Sequence, residues 1–145
     1  MIKKIDHINI VVSDLSKAKS FFLDLGFKEI TSSHLSGEQL SIVTGLPDIK
    51  AEFVALCLPG SDTNIELIEY FSPTGGRDPA MSKANQLGFR HIAFAVENIE
   101  AEVDRLKANG VAFKSTIQVW EKTGKKLVYF YGPDRIILEF AQYPK

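Results

Sequence analysis

Apolar and polar side chains alternate along residues 5–12, a run rich in β-branched residues that predicts a half-buried strand. The period then changes. Leu15, Ala18, Phe22 and Leu25 fall on one helical stripe, with Ser13 and Asp14 as candidate caps before it and Gly26 as the stop after it. The same succession returns later in the chain. An alternating run from His91 to Val96 leads to Asn98, then to Ile99, Val103 and Leu106 at helical spacing, and ends at Asn109-Gly110. Strands are predicted around residues 27–33, 51–58 and 64–71 after the first helix, and around 111–120, 126–131 and 136–142 after the second.

These two successions are copies. His91 follows His7 by 84 positions, and Gly110 follows Gly26 by 84. Both copies close on a carboxylate between apolar neighbours, Ile65-Glu66-Leu67 and Leu138-Glu139-Phe140, 73 positions apart, so the first copy carries 11 extra residues between glycine and glutamate. These fall near residues 37–47, where Leu40 and Val43 suit a short helical turn. The predicted organisation is α+β: a βαβββ module over residues 1–71, a linker over 72–87, and a second module over 88–145, within one structural domain. The linker contains Ser72-Pro73-Thr74-Gly75-Gly76-Arg77-Asp78-Pro79, the stretch richest in Pro and Gly, and a short helix is expected from Ala80 to Leu87.

Composition narrows the classes. With 17 basic and 18 acidic residues and no run of like charge, the electrostatic footprint of a nucleic-acid binder is missing. Polar residues interrupt every apolar run well before the ~20 positions a membrane helix needs, so neither a membrane span nor a secretory signal is expected and the cytoplasm is the default location. Cys57 is the single cysteine; in Ala55-Leu56-Cys57-Leu58 it reads as a small packed thiol rather than a nucleophile, with no His or basic residue beside it.

The repeat puts one His early in each first strand and one Glu late in each last strand. His7, Glu66, His91 and Glu139 are all of metal-ligand type, and pairing of the modules about a pseudo-twofold axis would bring them to one point. Alternation places Ala93 and Ala95 on the face of His91, and Asn9 on that of His7, leaving room there; Ile8-Ile10-Val12 and Ile92-Phe94-Val96 point under the helices. Glu69 competes with Glu66, but three residues away on a strand it faces the other side. His34 has no repeat counterpart and is expected at a strand end or pocket rim. Trp120, Tyr129 and Tyr131 are candidates for pocket lining or for packing.

His7-Ile8-x-Ile10-x-Val12-x-Asp14-Leu15, Arg90-His91-Ile92-Ala93-Phe94-x-Val96 and Gly132-Pro133-Asp134-x-x-x-Leu138-Glu139-Phe140 resemble the vicinal-oxygen-chelate pattern of glyoxalases, epimerases and extradiol dioxygenases. The resemblance spans nearly the whole chain. It implies two tandem βαβββ modules in a curved, barrel-like mixed sheet around a central cavity. It also implies metal ligation by His7, Glu66, His91 and Glu139, a divalent ion (Zn, Ni, Co, Mn or Fe), a small-molecule substrate and a homodimer. Arg135 stands where the pattern usually has glycine, which predicts an unusual turn. Ile68 and Tyr70 replace the threonine and asparagine of glutathione-dependent glyoxalase I, which counts against glutathione, while Ile65-Glu66-Leu67-Ile68-Glu69 before a Pro-containing loop is more similar to methylmalonyl-CoA epimerases and uncharacterised members. The implied activity is lyase, isomerase or epimerase chemistry by proton transfer, with Glu66 and Glu139 as the candidate bases. Two alternatives stay open: an Fe(II) extradiol-type dioxygenase using His7, His91 and Glu139, and a non-catalytic protein that sequesters an antibiotic or metabolite.

Overall fold

The computed structural model describes residues 1–145, which divide into two compact units, 1–77 and 78–145. In the first unit the elements are β1 (His7–Val11), α1 (Leu15–Asp24), β2 (Lys28–Ser36), α2 (Glu38–Thr44), β3 (Lys50–Cys57) and β4 (Asn64–Ser72). The second holds β5 (His91–Ala95), α3 (Ile99–Ala108), β6 (Gln118–Trp120), β7 (Lys125–Tyr131), a 3₁₀ turn (Pro133–Arg135) and β8 (Ile137–Gln142). Each unit is a four-stranded mixed sheet, β1-β4-β3-β2 and β5-β8-β7-β6, with the first pair parallel and the others antiparallel. The fold class is therefore α+β as expected, with one connectivity used twice. No helix is long and apolar enough to cross a membrane.

The helices follow from their ends. Asp14 Oδ1 accepts from Lys17 N at 2.9 Å, and Asn98 Oδ1 accepts from Ala101 N at 3.0 Å, each satisfying an amide that the first turn leaves free. Gly26 (φ +99°) and Gly110 (φ +82°) follow α1 and α3 in the left-handed region, where a side chain would be strained. Helix α1 buries Ala18 and Phe22 against β3 and β4, where Leu56 and Leu67 are fully buried, and Phe22 meets Phe27 edge-on at 5.5 Å. Burial of the Phe22 side chain is worth about 2–3 kcal/mol, and Phe22→Ala would cost about 3–5 kcal/mol by leaving a cavity. Helix α3 sets Ile99, Val103 and Leu106 over β8, where the Phe130 and Phe140 rings meet at a tilt with centroids 4.5 Å apart. The extra residues of the first copy form α2, whose Leu40 packs on Ile49, Ala51 and Ile68.

Two expected elements differ. The strand expected over 111–120 survives only as Gln118–Trp120 and an isolated bridge from Phe113 to Phe130. Between Phe113↔Phe130 and Gln118↔Leu127 one chain takes five steps while β7 takes three, so two residues must leave the ladder. Local bonds hold them out: Ser115 Oγ donates to the Thr116 carbonyl at 2.8 Å, and Gln118 Nε2 donates to Thr116 Oγ1 at 3.0 Å. The helix expected from Ala80 to Leu87 is a run of turns instead, with i+3 bonds such as Lys83 N to Ala80 O at 2.9 Å. Its carbonyls are taken by side chains: Lys114 Nζ donates to Ser82 O at 2.5 Å and Arg90 to Lys83 O at 3.5 Å. Leu87 stays exposed, so no apolar face favours a helix there. The Ser72–Pro73 peptide bond is cis.

Candidate functional site

In the first unit the parallel register sets Asn9 beside Glu66, which brings His7, two residues back on the same face, within reach of that carboxylate. His7 Nε2 lies 3.4 Å from Glu66 Oε2. On the far side of the ring, Asp6 Oδ2 lies 2.9 Å from Nδ1. The Asp6 bond, reinforced by the Glu66 charge, raises the His7 pKa above its ordinary value against a smaller effect of burial. The same bond lowers that of Asp6. A carboxylate on Nδ1 fixes the ring and leaves Nε2 for a ligand, the arrangement commonly found behind metal-binding imidazoles.

The second unit repeats the register: Ala93 lies beside Glu139, and His91 reaches the carboxylate from two residues back. His91 Nε2 is 3.1 Å from Glu139 Oε2. The surroundings differ from the first pair. Glu139 is the buried charged residue of the core, with a side chain only 5% exposed against 30% for Glu66. Lys125 Nζ donates to its second oxygen, Oε1, at 2.9 Å, and this bond raises the lysine pKa. Tyr129, directly across the ladder from Glu139, sets its ring 5.0 Å from that of His91.

The donor set fits a divalent ion. Bonds of ~2.0–2.2 Å at an angle of about 90–110° put the two donor atoms roughly 2.8–3.6 Å apart. The observed pairs stand at 3.1 and 3.4 Å. The structure thus brings the four expected donors together two by two, His7 with Glu66 and His91 with Glu139; no three or more His, Cys, Asp or Glu side chains are grouped so as to hold one ion. Glu69 does face away, accepting from Leu15 N at 2.8 Å. His34 is exposed on β2 and pairs with Glu52 at 2.9 Å. Cys57 is a half-buried free thiol, Trp120 is exposed, and Tyr131 lies under Arg135, 4.4 Å from the guanidinium carbon. Arg135 has φ +63°, after Asp134 at +53°, the unusual turn its non-glycine identity predicts. Asp6 and Lys125 are additions that the sequence pattern does not single out. Alternation puts Lys125 on the face of Tyr129, but the pattern starts that strand one residue later.

Comparison with known proteins gives the family. The family model of the Glyoxalase/Bleomycin resistance protein/Dioxygenase superfamily matches residues 4–140. The chain belongs to this superfamily. It is 30% identical to the uncharacterised protein YaeR of Escherichia coli K12 over 142 residues, 97% of each chain. It is 28% identical to the mitochondrial methylmalonyl-CoA epimerase of Mus musculus over 144 residues, covering 96% of this chain and 72% of that protein. Among solved structures, a glyoxalase family protein from Bacillus cereus superposes with a TM-score of 0.92 at 28% identity, covering 100% of this chain and 97% of the other. In a superfamily of this breadth the fold alone does not choose the reaction.

Proposed function

We propose that this superfamily member is a divalent-metal-dependent enzyme acting by proton transfer on a small metabolite with neighbouring oxygens, as an isomerase, epimerase or lyase. The observation that carries the reading is the repeated His–Glu pair, with donor separations that suit one ion's coordination edge in both units. His7, Glu66, His91 and Glu139 are the proposed metal donors. A bound ion would supply Lewis-acid polarisation of a substrate carbonyl, weakening the neighbouring C–H bond. A relative named for epimerase chemistry, inversion at a single centre, supports the same class.

The protein then needs a base. Of the two carboxylates, Glu66 is the freer, 30% exposed and paired through His7, whereas Glu139 is buried between His91 and Lys125. Glu66 is the first choice to take the proton and return it, with Glu139 second. Metal-stripped protein, restored with Ni²⁺, Co²⁺, Zn²⁺ or Mn²⁺, is assayed anaerobically by proton NMR in D₂O. The panel comprises 2-oxo-acids, hydroxy-ketones and acyl thioesters. Exchange of an α-proton that stops in Glu66→Gln is the expected result. Oxygen uptake on catechols with Fe²⁺, undiminished in Glu66→Gln, would replace this reading with an oxygenase.

A further inference from the structure

The internal repeat supplies its own control for Lys125. Glu66 pairs across the ladder with Ala55 and Glu139 with Tyr129; two steps further along, Ile68 pairs with Phe53 and Ala141 with Leu127. Continuing the register sets Lys125 in the place that Ala51 holds in the first unit, and Tyr143 in the place of Tyr70. The first pair works without a lysine and stays part-exposed. The second has one, and its carboxylate is the buried charge of the core.

A buried carboxylate without a counter-charge would be costly, and a lysine 25% exposed can meet that need by contact alone. The geometry does more. The ammonium sits on Oε1 at 2.9 Å while Oε2 faces His91 Nε2 at 3.1 Å, so the two oxygens are assigned to different partners. The lysine stem is itself held, its ammonium lying 5.5 Å from the centre of the Tyr143 ring.

We propose that Lys125 is a positioning residue for metal binding: by holding Oε1 it makes Glu139 offer a single oxygen, Oε2, beside His91. This rests on the metal-dependent reading above. Without the lysine, the carboxylate can turn and use both oxygens, which changes coordination number as well as affinity. Partners behind a metal ligand commonly matter by about ten- to a hundred-fold in affinity.

The test uses Co²⁺ alone, titrated into the metal-stripped full chain as wild type, Lys125→Met, Lys125→Gln and Lys125→Arg, reading both affinity and the visible absorption band. In Lys125→Met the affinity is expected to fall about ten- to a hundred-fold and the band to change in intensity as the coordination number rises. Lys125→Arg, which restores a charged donor, is expected to recover the wild-type band and most of the affinity. If Lys125→Met fails to fold, Lys125→Gln carries the comparison, since its shorter neutral amide cannot hold Oε1 in the same way. Affinity and band unchanged in these neutral variants, with wild type binding Co²⁺, would overturn the role of Lys125 and leave the functional reading standing. Wild type that binds no Co²⁺ would overturn that reading and this assignment with it.

Discussion

Glu69 and Gln142, 73 positions apart, are equivalent helix anchors, since each side chain accepts a hydrogen bond from the first amide of its unit's helix, Leu15 N at 2.8 Å and Ile99 N at 2.7 Å. The spacing is that of Glu66 and Glu139, so each last strand carries a site carboxylate on one face and, three residues on, a helix anchor on the other. The second unit shows that a neutral amide suffices for the anchor. Glu69→Gln is therefore expected to change stability by less than about 1 kcal/mol. Glu69→Ala and Gln142→Ala each strand an amide at a helix end and are expected to cost about 1–3 kcal/mol. Urea unfolding of the three variants checks this, and equal losses in Glu69→Gln and Glu69→Ala would mean that the charge, not the bond, is what the helix uses.

The two caps predict a difference in acid. The Lys17 amide and ammonium hold the Asp14 carboxyl below its ordinary pKa. A depressed folded value means stabilisation that is full above the unfolded pKa, ~3.9, and is lost as pH falls through the lower folded value. Asn98 performs the same capping with no proton to bind. Asp14→Asn is thus expected to keep the cap while flattening part of the decline in stability below about pH 4. Asn98→Ala should cost about 1 kcal/mol at every pH. Unfolding free energies measured from pH 3 to 7 separate the two, and an unchanged acid limb in Asp14→Asn would count against the Asp14 bond.

Gly132 closes the turn before β8, and its amide donates to Ile136 O at 3.0 Å. A Cβ there would stand 2.9 Å from both Ile136 Cγ1 and Leu138 Cδ1, and Leu138 is fully buried. Gly132→Ala is expected to destabilise by about 1–3 kcal/mol through overpacking rather than backbone strain. Thermal unfolding reads the loss, and Gly132→Ala/Leu138→Ala should lose less than the sum of the separate losses, since the shortened side chain makes room.

What the sequence reveals, and what it hides, divides by range. The caps at Asp14 and Asn98, the stops at Gly26 and Gly110 and the alternation that puts His and Glu on one face are local, and the repeat doubles them. That doubling makes the sheet connectivity readable from the chain alone. The turns over 80–87 are not readable, because their carbonyls are claimed by Arg90 and Lys114, the second of them more than 30 residues away. The lost strand residues around Ser115 depend on a count against β7 that only the register supplies. Lys125 is hidden for a similar reason: alternation gives its face, but its reach to Glu139 depends on where β7 begins and on which strand lies beside it.

The unequal settings of the two His–Glu pairs give the last prediction. If both pairs are metal donors, Glu66→Ala and Glu139→Ala should each abolish stoichiometric binding of Co²⁺ or Mn²⁺, and so should His7→Ala and His91→Ala. Stability should respond unequally. Glu66 and His7 are part-exposed and 3.4 Å apart, so deleting either side chain is worth no more than about 1 kcal/mol. Removing the buried Glu139 carboxylate leaves the Lys125 charge facing a cavity. Even discounted for the partial exposure of that lysine, the loss is expected to be about 2–4 kcal/mol. Metal content by elemental analysis and unfolding of the metal-free proteins should then disagree in a set way: both glutamate variants empty, only Glu139→Ala markedly less stable. Full metal occupancy in both variants would place the metal elsewhere. Equal destabilisation would show that the exposure of Glu66 misrepresents how strongly the first pair is held.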